Sequence, residues 1–373
     1  MLEQSQRAFR NFYNLFAIGM INAEIERLIK VDTRGMYEFY VRDMPKSAHA
    51  KNPWKRAFLF CKNLFLAFLL KLTPARRLLY ALAGVLIIAG LWNRDLMLLF
   101  HAFLIMNFLL ALELADKLIT KDELAIAREI QLSLLPHHGL QAAGFEVAGF
   151  SDAARSVGGD YYDFIPLADG SCLIVIGDVS GKGISAALYM AKVQTLLQTF
   201  ARQTGDPRAL LSLLNEHLLR ELKRNYFLTL AIVRLKANGG AQLCRAGHTP
   251  VLLFERQRRE CFWIKPQGLA IGLAANAHES PEAQNGMFLE HLEVVERTLQ
   301  AGDIMLLFTD GVSETFNLAQ QEFGEERLQR ILARHHQEAP EAIKAALLRE
   351  LAGFRRGAEL RDDTTFVIIK RNA

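Results

Sequence analysis

The sequence has 373 residues, of which 51% are hydrophobic and 23% charged, and its net charge is +4. This length predicts two or three domains, and so small a net charge gives no support to nucleic-acid binding. The four cysteines are scattered without a CxxC pair, which argues against a zinc ribbon or a disulfide framework and favours a reducing compartment. The mean hydropathy of +0.11 is high for a purely soluble protein.

The N-terminal region, residues 1–75, is predicted to be helical and basic. Residues 1–41 carry an apolar stripe at helical spacing, which predicts a small helical domain or, alternatively, a helix that lies on lipid. A basic run follows, typical of a segment at the cytoplasmic face of a membrane, although a solvated linker is the simpler alternative. Its members are Arg42, Lys46, Lys51, Lys55, Arg56, Lys62, Lys71, Arg76 and Arg77.

Residues 76–115 are predicted to form a transmembrane helical hairpin. Leu78–Trp92 and Leu96–Leu114 are largely apolar and flank a polar turn, although the first is short for a span of about 20 residues. Basic residues flank both ends of the hairpin, which places both ends in the cytoplasm. The alternative is a buried helical pair in a soluble domain. Ala57–Leu72 is interrupted by polar residues and is interpreted as an amphipathic or interfacial helix.

Residues 116–136 are predicted to be a linker helix, because Glu113–Leu135 forms one polar-apolar stretch that ends before a proline. This helix could pair with its twin in a homodimer. From residue 137 onward, apolar runs and helical stretches alternate in blocks, which predicts an α+β layered fold. The predicted strands are Phe145–Phe150, Cys172–Ile176, Thr229–Leu235, Ala241–Cys244, Val251–Phe254, Ile304–Phe308 and Phe366–Ile369. The predicted helices are Ser185–Thr204, Arg208–Arg224, Glu325–His335 and Pro340–Phe354.

Four acidic motifs stand at strand ends or glycine turns of this domain: GGD at 158–160, GDVSGKG at 177–183, TDG at 309–311 and DDT at 362–364. Carboxylates are costly to bury unpaired, so their recurrence at strand ends predicts a site for a hard cation. A site with oxygen ligands alone suits magnesium or manganese better than zinc. The glycine turn at 181–183 can also bring the Val179 carbonyl onto a metal. Its glycine spacing differs from that of a nucleotide P-loop, which argues against ATP binding.

These motifs carry a family resemblance. The strings VGGDYYDF, IGDVSGKG, AGHTPVLL, LFTDGVSE and DDTTFVII resemble the metal-dependent protein serine/threonine phosphatases of type 2C, and more closely the bacterial RsbU/SpoIIE branch. AREIQLSLLP, at 127–136, is similar to the helix that leads into that branch's phosphatase domain. The resemblance covers about residues 127–370 and implies a layered α/β/β/α phosphatase sandwich over residues 137–373. It does not cover residues 1–115, for which the apolar runs predict an α-helical, membrane-embedded N-terminal region.

The same resemblance implies a site for two divalent metal ions, Mn²⁺ or Mg²⁺. The implied ligands are Asp160, Asp178, Val179 (through its carbonyl), Asp310, Asp362 and Asp363. Asp178 matches the carboxylate that bridges the two ions, and Asp160 matches a ligand on the side of the second ion. Asp310 and Asp362 match ligands of the first ion. Asp363 ranks lower, because relatives carry Asp or Asn at this position.

The expected activity is hydrolysis of a phosphoserine or phosphothreonine by water activated between two metal ions. The resemblance implies a phosphorylated anti-sigma-factor antagonist as substrate. The predicted hairpin and its flanking charges indicate an enzyme tethered to the bacterial inner membrane with its catalytic domain in the cytoplasm. A nucleic-acid partner is not expected, because the catalytic part lacks a basic, aromatic-rich track. The alternatives are a catalytically silent membrane receptor or scaffold and a two-metal phosphodiesterase or nuclease. His248 is a candidate acid, although a packed or hydrogen-bonded loop histidine is the favoured interpretation.

Overall fold

The computed structural model describes residues 53–223, 226–273 and 280–372. The apolar stripe predicted within residues 1–41 lies outside them. The chain divides into two compact units, Met1–Ile119 and Thr120–Ala373. The division falls inside one long helix, so the finer boundaries after residues 75, 115 and 136 stay predictions.

The first unit contains helices α1 (Pro53–Lys71) and α2 (Pro74–Asn93) and the beginning of α3 (Leu96–Leu134). Pro74 opens α2, where the missing N–H costs no hydrogen bond. Arg94 ends this helix in the left-handed conformation, with φ of 53°. Asp95 then accepts a hydrogen bond of 2.8 Å from the Met97 amide and so caps the start of α3. The polar turn of the predicted hairpin is therefore built from a C-cap followed at once by an N-cap.

Helices α2 and α3 are, within the described ranges, the two that are long and apolar enough to cross a membrane, judged by length and composition alone. Helix α2 has 20 residues, because it begins four positions before the apolar run that marks it in the sequence. Helix α3 has 39 residues and continues without a break through the predicted linker. Many apolar side chains of both helices are exposed; Ile88 is 69% exposed and Leu110 is 67% exposed.

The second unit is built from eleven strands and six further helices in the part of the chain that is described. The strands are β1 (Leu140–Ala142), β2 (Phe145–Asp152), β3 (Asp160–Pro166), β4 (Cys172–Val179), β5 (Leu228–Leu235), β6 (Gly240–Ala246), β7 (Val251–Glu255), β8 (Glu260–Ile264), β9 (Val294–Thr298), β10 (Ile304–Phe308) and β11 (Thr364–Arg371). The helices are α4 (Ile184–Ala201), α5 (Pro207–Glu221), α6 (Pro281–Glu290), α7 (Asp310–Ser313), α8 (Glu325–His335) and α9 (Pro340–Arg355).

Two antiparallel sheets form the middle layers of this unit. One has six strands in the order β1-β2-β11-β10-β7-β8, and the other has five in the order β3-β4-β5-β6-β9. Strand β10 illustrates the layering, because its successive side chains point to opposite faces. Met305 and Leu307 belong to the core that includes the second sheet, whereas Ile304 and Leu306 pack with side chains of α8 and α9. The α/β/β/α sandwich is therefore confirmed.

Every strand and helix predicted for this unit is present, with ends that differ by at most three residues. The sequence pattern missed β1, β3, β8, β9, α6 and the short α7. Strand β9 is an edge strand whose residues are only partly buried or exposed, so it lacks an apolar face that periodicity could reveal. Strand β3 begins with the string DYYD, in which buried acids and tyrosines obscure the alternation of apolar and polar residues.

Candidate metal centre

Strands β3 and β4 bring the first two acidic motifs together. Asp160 lies directly opposite Asp178 in their antiparallel register. The pairing continues past the strand end, where the Val179 amide donates a 3.3 Å hydrogen bond to the Gly159 carbonyl. Asp160 is only 5% exposed. The predicted glycine turn follows β4, and Gly181 and Gly183 have positive φ angles of 99° and 78°.

The other two acidic motifs meet at the end of the neighbouring sheet. Strands β10 and β11 are adjacent and antiparallel, so the end of β10 lies beside the start of β11. Asp310 begins the four-residue helix α7 immediately after β10, and Asp362 and Asp363 immediately precede β11. Gly311 permits this approach, because a Cβ atom added there would clash with the Asp363 carbonyl oxygen.

A buried threonine links the two pairs of motifs across the sandwich. The Thr309 hydroxyl donates a hydrogen bond of 2.8 Å to Oδ2 of Asp160. Its oxygen also accepts a 3.1 Å hydrogen bond from the Thr365 amide. Because Thr309 has no exposed surface, this link is shielded from water. The hydroxyl thus holds the Asp160 carboxylate of one sheet against the strand ends of the other.

Asp363 has different surroundings from the other acids. Its Oδ2 accepts a 2.7 Å hydrogen bond from the Gly159 amide, and its Oδ1 accepts a 2.8 Å hydrogen bond from the Ala154 amide. Both carboxylate oxygens therefore fix the loop that precedes Asp160. These contacts are those of a positioning residue, which agrees with its lower rank among the implied ligands.

The acids at this edge of the sandwich perturb one another. Burial raises the pKa of Asp178 to about 7, and the negative charges of neighbouring carboxylates add to the shift. Those neighbours are Asp310, Asp362 and Asp363. Burial, followed by the charge of Asp178, also raises the pKa of Asp160 well above its usual range. Burial together with Asp362 raises the pKa of Asp310. The cluster therefore carries more negative charge than its surroundings offset, as a cation site does before it binds.

The backbone gathers the acids, but their side chains do not form an assembled set of ligands. In the three described ranges, no three His, Cys, Asp or Glu side chains form a group that could hold a metal ion as placed. The carboxylates are instead held by other partners: Asp160 by Thr309, Asp363 by backbone amides, and Asp362 by Lys182 at 2.7 Å. The donor chemistry fits a hard divalent cation, and binding requires these side chains to turn toward one another.

His248 follows β6 in the chain and is not placed as an acid. It is 4% exposed, and its Nδ1 lies 2.9 Å from the Thr229 hydroxyl. Burial lowers the pKa of His248 to about 3. The imidazole is therefore neutral, and the interpretation as a packed, hydrogen-bonded loop histidine is confirmed.

The end of helix α3 makes contacts with this site that the sequence interpretation missed. Gln131 donates a 2.7 Å hydrogen bond to the Gly158 carbonyl and accepts one of 3.1 Å from the Gly158 amide. Arg128 forms a 3.0 Å ion pair with Asp152, at the end of β2. A small cavity of about 20 Å³ is lined by Gln131, Asp160 and other residues. Gln131 and Arg128 both belong to the string AREIQLSLLP. That motif points to this segment of the chain, but it does not show which residues the two side chains contact.

Comparison with known proteins agrees with this fold. Residues 168–372 match the family of Stage II sporulation protein E (SpoIIE). The chain is 28% identical over 257 residues to phosphoserine phosphatase RsbU of Bacillus subtilis, which covers 67% of this chain and 70% of RsbU. It is 25% identical over 296 residues to protein IcfG of Synechocystis, which covers 71% of this chain and 44% of IcfG. The chain thus spans less than half of IcfG.

Among solved structures, the fold is similar to that of the SiaA-PP2C domain of Pseudomonas aeruginosa. The TM-score is 0.57 at 20% sequence identity, and the match covers 69% of this chain and 98% of that domain. The family match, the similarity to RsbU and the fold give the class: a protein serine/threonine phosphatase of the PP2C type. Within this class the chain belongs to the SpoIIE family and is of the RsbU/SpoIIE type.

Proposed function

We propose that this protein removes phosphate from a phosphoserine or phosphothreonine of a cytoplasmic regulatory protein, and that it works while tethered to a membrane. The observation that carries the chemistry is the gathering of acids at one edge of the sandwich, where Asp160 lies opposite Asp178 in the β3–β4 register. After burial, the charge of Asp178 raises the pKa of Asp160, and the charge of Asp310 raises the pKa of Asp178. Such a cluster is stabilised when hard cations bind.

The proposed ligands of two divalent ions are the carboxylates of Asp160, Asp178, Asp310 and Asp362 and the carbonyl of Val179, with Asp363 at a lower rank. Divalent cations held there would supply Lewis acidity, which lowers the pKa of an attacking water and offsets charge on the phosphoryl oxygens. The water oxygen bonds to phosphorus as the bond between phosphorus and the seryl oxygen breaks. A water proton ends on the seryl oxygen, so the products are inorganic phosphate and the free hydroxyl.

In this reaction the protein itself holds and orients the acids. The Thr309 hydroxyl fixes one oxygen of Asp160, and the β3–β4 register fixes Asp160 against Asp178. Asp363 holds the backbone amides of Ala154 and Gly159, and so keeps the loop before Asp160 in place. These contacts fix the strand ends that carry the acids, so that only the side chains have to turn toward a cation.

The proposed substrate is a phosphorylated anti-sigma-factor antagonist. The support is the family: RsbU of Bacillus subtilis, at 28% identity, is named a phosphoserine phosphatase. The resemblance to the RsbU/SpoIIE branch implies a partner of this kind for the present chain.

The proposed membrane anchor is the hairpin of α2 and α3, in the bacterial inner membrane. Its support is the outward-facing apolar surface, with residues such as Ile88 and Leu110 mostly exposed. Charged groups gather at the open end of the hairpin, where Arg76 pairs with Glu113 at 3.0 Å and Asp116 at 2.7 Å. Charges at this end and an apolar surface beyond it suit helices that enter a bilayer from the cytoplasm.

The linker portion of α3 is the proposed dimer contact. Ile126 and Ile130 lie one helical turn apart, and each is 58% exposed. Pairing of this face with a second copy would bury both side chains. Light scattering of the detergent-solubilised full chain tests the pairing: the wild type is expected as a dimer and the double variant I126E/I130E as a monomer. A wild-type monomer would contradict it.

The activity is tested by phosphate release from the full chain in membranes and after detergent extraction, with Mn²⁺. The substrates are a phosphorylated anti-sigma-factor antagonist and, as a control for phosphodiesterase activity, a cyclic dinucleotide. Release from the phosphoprotein alone is the expected result. Cleavage of the dinucleotide with no release from the phosphoprotein would contradict the proposal.

A further inference from the structure

Lys182 lies among the acidic residues of the candidate metal centre, although it is not one of the proposed metal ligands. Its Nζ lies 2.7 Å from Oδ2 of Asp362 and 2.7 Å from the Arg361 carbonyl oxygen. Across the described ranges, this ion pair is the one that engages a proposed metal ligand. Lys182 projects from the turn between β4 and α4, and its side chain is 43% exposed. The ammonium thus stands at the solvent side of the acids.

The charge of Lys182 also acts on acids other than Asp362. It lowers the pKa of both Asp178 and Asp310, opposing the effect of the neighbouring carboxylates. An ammonium among acids of this kind partly substitutes for a cation. It also competes with one, because a metal ion that binds the Asp362 carboxylate repels an ammonium held on the same group.

Stability of the fold is a poor explanation for this ion pair. The side chains of Lys182 and Asp362 are 43% and 46% exposed. Exposed ion pairs of this kind contribute about 0–1 kcal/mol, because water and salt screen them. The pair therefore adds little to the fold, whereas a cation at the mouth of an acidic site changes which ligands can enter.

The substrate chemistry supplies the reason for a cation there. A phosphate ester is an anion, and it is repelled by a cluster of carboxylates. A lysine ammonium is a compact charge with three hydrogen-bond donors on a flexible stem, which suits it to phosphate oxygens. When a divalent cation takes the Asp362 carboxylate, the ammonium loses its anionic partner and keeps the neutral Arg361 carbonyl, so it can pair with another anion within reach of the turn.

We propose that Lys182 is a phosphate-binding residue, which pairs with Asp362 until metal binds and then holds the phosphoryl oxygens of the substrate. This role deepens the proposed phosphatase function and rests on it. No covalent bond changes in this exchange. Asp362 releases the ammonium and binds a metal ion, and the ammonium then binds a phosphoryl group in place of the carboxylate.

The test compares K182M, which keeps most of the length and removes the charge, with K182R, which keeps the charge. The full chain in detergent is used, with Mn²⁺ titrated by calorimetry, inorganic phosphate titrated in the presence of Mn²⁺, and p-nitrophenyl phosphate as a small substrate. Lys192, on helix α4, supplies the matched control, because it is an ion-paired lysine whose partner is Glu221. K192M removes the same charge outside the acidic cluster and is expected to leave all three measurements unchanged.

For K182M we expect Mn²⁺ affinity equal to or tighter than that of the wild type, because the competing ammonium is gone. The Kd of inorganic phosphate and the KM of p-nitrophenyl phosphate should both rise by about 10-fold or more, the loss expected when a charged hydrogen bond is removed. K182R should restore most of the phosphate affinity. This pattern weakens phosphate binding without weakening metal binding, which loss of a structural contact does not.

Weaker Mn²⁺ binding in K182M with unchanged phosphate binding would overturn the role and make Lys182 a support for Asp362. No change in any measurement would overturn it as well. Failure of the wild type itself to bind Mn²⁺ and release phosphate would instead overturn the proposed function, and the role of Lys182 with it.

Discussion

Asp160 and Asp178 face each other across one rung of the β3–β4 ladder, and the Asp160 carboxylate is held from the other sheet by Thr309. Two carboxylates at opposed positions of a sheet repel each other and are costly to bury. Their arrangement is stable in a folded protein when a further group offsets the charge. The pair thus links the strand register of the five-stranded sheet to the metal binding proposed for the acidic strand ends.

Replacing Thr309 with valine should weaken the link between the sheets. T309V keeps the shape of the side chain but leaves Asp160 without its 2.8 Å donor and the Thr365 amide without its acceptor. We expect a loss of about 1–3 kcal/mol in stability. This corresponds to a fall in Tm of about 2–4 °C per kcal/mol, measured by thermal unfolding of the full chain. T309S retains the hydroxyl and should keep most of the stability, so equal losses in both variants would contradict the argument.

Two glycine-to-alanine substitutions, at Gly311 and Gly353, are expected to have opposite effects on stability. In G311A the new methyl group clashes with the Asp363 carbonyl, so we expect a loss of about 1–3 kcal/mol and reduced phosphate release. Gly353 lies in helix α9 with nothing within 4 Å of an added Cβ. G353A should therefore raise stability by about 0.5–1 kcal/mol and leave phosphate release unchanged. Thermal unfolding and phosphate release check both, and a neutral G311A would contradict the close approach.

The two hydrogen bonds of Gln131 predict that helix α3 influences metal binding. In Q131A the Gly158 amide and carbonyl lose their partner next to Asp160, so we expect Mn²⁺ affinity to fall by about 10-fold, as for other groups that support metal ligands. Calorimetric titration of Mn²⁺ measures the change. Ser133, on the same helix, bonds only to the carbonyl of Ile130, and S133A is expected to bind Mn²⁺ as the wild type does. Equal affinity in Q131A and S133A would show that the helix does not support the site.

The hairpin predicts opposite accessibility for its turn and its open end. A cysteine at Asn93, the last residue of α2, should be labelled in intact cells by a maleimide that cannot cross the membrane. A cysteine at Lys121, beyond the apolar part of α3, should be labelled only after permeabilisation. Labelling of both in intact cells, or of neither, would contradict a hairpin with both ends in the cytoplasm.

Local patterns in the sequence predict the elements of this fold better than they predict the contacts of its site. Strand β10 consists of five apolar residues, all buried, and its bounds follow directly from the sequence. Asp310, in contrast, opens the short helix α7, which the sequence pattern missed. A four-residue helix leaves no periodic signal, because it is barely more than one turn.

The recurrence of acids at strand ends predicts that they converge, because neighbouring strands share a sheet edge. The hydrogen bonds that orient them depend on residues far apart in the chain. Thr309 and Asp160 are separated by 149 positions, and Gln131 and Gly158 by 27. Periodicity carries no information about such pairs. The Lys182–Asp362 pair joins residues 180 positions apart, so periodicity does not reveal it either, although each residue belongs to one of the acidic motifs.

Titration of Mn²⁺ into the full chain by calorimetry, with wild type and D178N side by side and phosphate release followed on the same samples, tests the central claim most directly. The Asn side chain has the size of Asp178 but lacks its negative charge. Asp178 is the residue whose pKa is raised by the charges of Asp310, Asp362 and Asp363. We predict that the wild type binds Mn²⁺ and releases phosphate and that D178N loses both. Equal binding and equal release in the two proteins would contradict a metal centre at these strand ends.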